Sequence, residues 1–288
     1  MAFPLWPSAV NPNLIPPKYF TTWQAPLPTI GATQVTTGAE LDAAVDAAVD
    51  GETIEMTVVG AYMLTNQLDL RGNRAVTINA MVEGAYIDGP NRVFHQDSTT
   101  DWTVTGVEFR NGLSGMQVYT KEGALTLNRC LFKPTVHRQI YSIFQNNGGT
   151  LSTNGCIFDN ASTTASVYME WTSSAMVTLK NCIIDNGTSG GLCIRQQGGT
   201  MNAHNCGLRS TGATCQGTIG GDYNAATDAT APGANSHDNI TWANEFDASY
   251  LPLTAMGKVG GDPANAAALD YLGNIITTVA PVGAILAA

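Results

Sequence analysis

The 288-residue sequence predicts an all-β fold, a solenoid of stacked parallel turns, on three observations. The first is a four-fold echo: Leu125-Thr-Leu-Asn-Arg-Cys130-Leu-Phe, Leu151-Ser-Thr-Asn-Gly-Cys156-Ile-Phe, Val177-Thr-Leu-Lys-Asn-Cys182-Ile-Ile and Met201-Asn-Ala-His-Asn-Cys206-Gly-Leu. Its cysteines lie 26, 26 and 24 residues apart, and Val107 takes the cysteine's place 23 residues before Cys130. The second is an apolar-alternating stretch that follows each of these positions: Met116 to Tyr119, Ile140 to Phe144, Val167 to Trp171, Leu192 to Arg195 and, more weakly, Ala213 to Gln216. The third is the residue type at the breaks, Asn111-Gly112, Asn147-Gly148-Gly149, Asp159-Asn160, Asp185-Asn186-Gly187 and Gly198-Gly199. A period in the twenties marks repeats that bury an apolar face only by stacking on their neighbours. Period-two alternation punctuated by Asn, Asp and Gly marks two or three short strands per turn. Stacking sets equivalent residues about 4.8 Å apart, so Cys130, Cys156, Cys182 and Cys206 are expected to form an internal ladder.

Along the chain, residues 1–36 hold seven prolines together with Trp6, Tyr19, Phe20 and Trp23. Proline rules out a helix or a central strand there, so an extended arm is expected, packed on its own body or docked on a neighbour. Residues 37–222 form the body. Leu41, Val45 and Val49 recur every four residues between a capping Thr37 and a terminating Gly51, which predicts a short helix that covers the open end of the strand stack. Strands begin at Thr53. Residues 223–288, glycine-rich and weakly patterned, are expected to be an irregular C-terminal cap.

Composition narrows the partners. Only 12% of residues are charged and the net charge is −10, without a basic stripe, which argues against nucleic acid. An anionic polysaccharide is disfavoured for the same reason, although a local basic patch would suffice. The six cysteines include four at one repeat position, where reduced thiols pack well, so free cysteines are expected. Neither CxxC nor HxxxH spacing occurs, and no metal or cofactor is expected. The first residues lack the basic start and apolar run of a secretory signal, and the apolar tail broken by Pro281 is too short to span a bilayer.

Ala39 to Met56, Gly60-Ala-Tyr62, Val76-Thr-Ile78 and Ala85-Tyr-Ile-Asp88-Gly89 resemble the opening of pectate-lyase-like β-helix proteins. The Asn-Cys or Asn-Gly corners are similar to that superfamily's generic repeat, and Gly221-Asp-Tyr-Asn, Asp270-Tyr-Leu-Gly-Asn and Pro281-Val-Gly-Ala-Ile look like degraded versions of its last turns. The resemblance covers about residues 38–285 and implies a single-stranded right-handed parallel β-helix of about 23–26 residues per turn. It says little about chemistry, because that superfamily spans lyases, hydrolases, esterases, adhesins and phage spikes. The sequence marks of its pectate lyases, polygalacturonases and pectin methylesterases are missing.

In the enzymes of that superfamily, working residues stack on the outer face of one sheet. Aligning Ile194 with Met169 sets Arg195 on Glu170 and continues the line through Phe144 and Lys121, so Glu170, Arg195 and Lys121 are the candidate working residues, with a solvated salt bridge as the plainer account. Asp159 and Asp185, flanked by Asn160, Asn186 and Arg209, are a corner column suited to calcium or, more simply, to turn amides. Lys133, His137 and Arg138 are the most basic spot. Two functions are expected from these features. One is a non-catalytic virion protein, a decoration or spike component that forms a trimer and docks on a capsid or tail protein through its arm. The alternative is a polysaccharide-binding or polysaccharide-degrading β-helix.

Overall fold

The computed structural model describes residues 22–288 except 90–92, 97–98, 112–115, 121, 134–137, 144–148, 160–164, 171–174, 188–190, 255–259, 275, 277–281 and 286–288. Among the described residues the chain is a parallel β-solenoid whose successive turns each contribute a strand to three sheets. Sheet I has nine strands, from Thr33–Val35 to Ile219–Asp222; sheet II has eight, from Gly60–Met63 to Ala225–Ala226; sheet III has seven, from Leu68–Leu70 to Cys215–Gln216. Every pairing between these strands is parallel. Leu125 lies beside Leu151, Leu151 beside Val177 and Val177 beside Met201, the register of the four-fold echo.

The core follows from that register. Phe109, Phe132 and Phe158 occupy one position on successive turns of sheet II and stack face to face, with ring centroids 4.9 and 4.6 Å apart. Cys130, Cys156, Cys182 and Cys206 are free and fully buried, and the first three thiols donate to the carbonyls of Val104, Leu127 and Thr153 on the preceding turn at 3.4–3.6 Å. Burial pushes the Cys156 and Cys206 thiols well above their ordinary values, which keeps them protonated and inert.

The predicted helix runs Gly38–Ala47. Thr37 caps it by accepting from the Glu40 amide, and the Glu40 carboxylate accepts from Thr36 N at 2.7 Å. Leu41 and Val45 enter the same core as Ile54, Tyr62 and Leu68 of the first turn. Gly38 is glycine for a packing reason, because a Cβ there would collide with the Met63 backbone.

Two expected boundaries shift. Thr33–Val35, assigned by sequence to the arm, is the first strand of sheet I, and Trp23, grouped with the docking aromatics, is buried against its own chain. Trp6, Tyr19 and Phe20 lie outside the described residues. The C-terminal segment is irregular but does not stop at the last turn. After Ala225–Ala226 it folds back along the side of the solenoid as a strap that reaches the start of the chain, where Gln24 N donates to Leu272 O at 3.0 Å.

Candidate functional site

The corner between sheets I and II is a single residue with positive φ on six successive turns: Gly106, Arg129, Gly155, Asn181, Asn205 and Tyr223, with φ between 49 and 72°. One left-handed residue bends the chain from one sheet into the next, and glycine or asparagine adopts it with least strain. The strap lies along this column. Ala267 N donates to Asn181 Oδ1 at 2.7 Å, Asp262 N donates to Asn205 Oδ1 at 2.7 Å, and Asn205 Nδ2 donates to Asp262 O at 2.9 Å. A Cβ on Gly155 would sit 3.0 Å from the Leu269 carbonyl.

Arg129 is the junction of this system. Its Nε donates to Tyr271 O at 3.1 Å, its Nη2 donates to Gln24 O, and its guanidinium lies 5.2 Å from the centre of the Trp23 ring. One buried side chain therefore joins the corner, the strap and the root of the N-terminal arm. Burial lowers its pKa from the ordinary arginine value, with Asp270 acting in the opposite direction. Beside it, a cleft of about 340 Å³ opens between strap residues 266–269 and the stacked sheet I residues Thr105, Asn128, Asn154 and Lys180.

A second cleft, of about 410 Å³, lies where the strap crosses sheet II. Asp159, Asp185 and Arg209 stack in register there. Tyr250 of the strap donates to Asp159 Oδ1 at 2.8 Å and Asp185 Oδ2 at 3.3 Å, Lys133 pairs with Asp159 at 2.8 Å, and Arg209 pairs with Asp185 at 3.1 Å. Asp185 also accepts from the Gly187 amide at 2.8 Å, which is the expected turn chemistry. Trp242 and Phe246 floor the cleft, rings 4.5 Å apart. Burial and these carboxylates raise the Tyr250 phenol well above its ordinary value, so it acts as a hydrogen-bond donor. Asn160 lies outside the described residues.

The third feature corrects a predicted line. Sheet III pairs Val167 with Ile194 and Tyr168 with Arg195, so Arg195 does not stand on Glu170, whose neighbour on the preceding turn is Ile143. The error is two residues and has a simple cause. Val167 and Met169 both face inward, and matching Ile194 to Met169 instead of to Val167 moves the line by two. Lys121 and Phe144 lie outside the described residues.

The column that forms instead is Asp69, His95, Tyr119, Tyr141, Tyr168, Arg195 and Gln216. His95 Nδ1 donates to Asp69 at 2.8 Å and its ring centre lies 5.1 Å from that of Tyr119; Arg195 sits 4.9 Å from the Tyr168 ring centre, and Tyr168 Oη donates to Gln197 at 2.6 Å. Burial would raise the Asp69 carboxyl, but bonds from His95 and Gln67 and the Arg71 charge hold it below the usual range. Tyr119 and Tyr168 are only 6% and 3% exposed. Period-two alternation contained this column, with Tyr119 and Tyr168 each one residue past a buried valine, Val118 and Val167.

Among the described residues, no group of three His, Cys, Asp or Glu side chains is placed to hold a metal ion, and no helix is long and apolar enough to cross a membrane. No protein-family model matches this sequence, and neither does any curated protein sequence. The fold itself is a parallel β-solenoid.

Proposed function

We propose that this chain is a non-catalytic structural protein of a phage-like particle, a decoration or spike component of the pectate-lyase-like kind, with a rigid rod attached through its N-terminal end. The observation that carries this reading is where apolar surface is left open. Of nine large apolar side chains exposed among the described residues, six, Leu27, Ile30, Val49, Val58, Val59 and Met63, belong to the first turn or the segment leading into it and are between 45 and 103% accessible; the other three, Met176, Leu251 and Leu253, are scattered and at most 50% accessible. Exposed apolar surface concentrated at one end marks an interaction surface. The same end carries the outer edge of sheet I, where Thr33–Val35 has one strand neighbour among the described residues, Glu52–Met56. Arg129, four strand steps along sheet I from that edge, holds the chain at Gln24, and the described chain runs from there to the first turn. A trimer whose arms clasp neighbouring subunits or a capsid or tail protein covers both the edge and the apolar residues.

The test is solution mass by light scattering on the full chain, on a chain lacking residues 1–21, and on Val59→Asp. A full-length trimer that falls to monomer in either variant supports the reading; a monomer in all three overturns it.

A polysaccharide-binding or polysaccharide-degrading role is the second reading, favoured by the sheet III column in which Tyr119, Tyr141 and Tyr168 lie in register with Arg195. Sugars stack on aromatic faces, but Tyr119 and Tyr168 are nearly enclosed, so a glycan would meet the column at the Arg195 and His95 ends. Loss of glycan retention in Arg195→Ala, with folding intact, supports it.

A further inference from the structure

We infer that the cleft between the strap and sheet I binds a small oxyanion, the carboxylate or phosphate group of an acidic ligand. Arg129 is a buried cation, 3% exposed, with no carboxylate within ion-pairing distance among the described residues. Burying a guanidinium requires that its charge and its donors be met. Two of its nitrogens are satisfied by carbonyls, Nε by Tyr271 and Nη2 by Gln24. Nη1 has no protein partner and is not sealed from solvent, and Arg129 lines the cleft. The carboxylate whose field acts on Arg129 is Asp270, and its oxygens accept from Asn274, Oδ1 from the amide N and Oδ2 from Nδ2, both at 2.7 Å.

The opposite end of the cleft supplies a second cation. The Lys180 side chain lines it without a hydrogen bond or ion pair among the described residues, and Asp262 and Asp222 on neighbouring elements are already bonded to Asn205, Asn265, Asn235 and backbone amides. Asn128 and Asn154 stand between the two cations and use one bond on each other, Asn154 Nδ2 donating to Asn128 Oδ1 at 3.0 Å. That leaves Asn128 Nδ2 as a donor and Asn154 Oδ1 as an acceptor for a ligand's remaining groups. Among the described residues, no Asp or Glu side chain lines the cleft. From Asn128 to Lys180 is two strand steps, about 10 Å, and a lysine side chain closes much of that span. Guanidinium, ammonium and amide groups lining one open cleft recognise an oxyanion through charge-assisted hydrogen bonds.

The experiment titrates the full chain with sodium acetate, inorganic phosphate and sodium chloride at constant ionic strength, following the Lys180 and Asn128/Asn154 side-chain resonances by NMR. Lys180→Gln is the test variant, because it removes a half-buried, unpaired ammonium without touching the Arg129 junction. Saturable binding of acetate or phosphate beyond that of chloride, weakened roughly tenfold in Lys180→Gln, is the expected result. A preference for acetate identifies a carboxylate ligand, and a preference for phosphate a phosphoryl one. Shifts equal to those of chloride, or affinity unchanged in Lys180→Gln, overturn the inference. Asn154→Ala is the second variant: full affinity there places the ion outside this cleft and also overturns it.

Discussion

The corner column from Gly106 to Tyr223 and the sheet III column from Asp69 to Gln216 repeat at the same pitch on the same solenoid, yet they are held by different partners. At the corner, left-handed residues hand their side chains to the backbone of a non-repeating strap, as Asn181 does to Ala267 and Asn205 to Asp262. On sheet III, side chains interact with the side chains one turn away, His95 with Tyr119 and Tyr168 with Arg195. Repetition makes columns wherever a period exists, but the segment that covers a column decides whether its polar groups serve the fold or remain for a ligand. Beside the corner, where strap residues 266–269 leave room over the ends of the sheet I strands, Asn128, Asn154 and Lys180 line a cleft.

The largest break in this comparison is expected from Arg129→Ala. It removes two charge-assisted bonds that tie strap and arm root together and should cost about 3 kcal/mol in chemical denaturation. Limited proteolysis should then cut the strap first while the sheet III column stays protected; unchanged stability would refute the junction role. Gly155→Val tests the same contact sterically. A β-branched residue at φ 60°, against the Leu269 carbonyl, should cost about 2 kcal/mol, and a neutral result would show that the strap is not seated there.

On the other column, Tyr168→Phe deletes the bond to Gln197 and should cost about 1 kcal/mol without loosening the strap, as judged by the same proteolysis. The smallest effect separates the columns by pH. Burial, with Lys180 adding to it, pushes the His204 imidazole below its ordinary value, and its Nδ1 is buried without a partner. The unfolded chain takes up a proton near pH ~6.5 that the folded chain takes up only at lower pH, so stability is lost as pH falls from about 6.5 through the lowered value. His204→Gln should flatten the acid limb of the stability profile over that range; an unaltered limb would remove His204 from the account.

Much of the architecture was legible because the repeat is a property of the sequence itself. Cys130, Cys156, Cys182 and Cys206 recur where a small side chain must face inward, and the capping Thr37 and the apolar spacing of Leu41 and Val45 mark the helix. The outward line was misread by two residues because Val167 and Met169 are both inward, and alternation alone does not say which of them lies beside Ile194. The strap was not legible at all. It has no period, and its contacts join residues as far apart as Gln24 and Leu272, so nothing local announces them. Trp23 looked like a docking aromatic for the same reason, since only the fold brings Arg129 to it.

The sequence by itself therefore determined the solenoid, its pitch, its inward cysteine ladder and the helix at its first turn, because each is a short-range pattern whose apolar face only stacking can bury. Tertiary structure alone decided which polar residues are spent on the strap and which face a cleft. That choice depends on backbone groups far away in sequence, and a buried cation such as Arg129 acquires its meaning only from what the chain brings back against it.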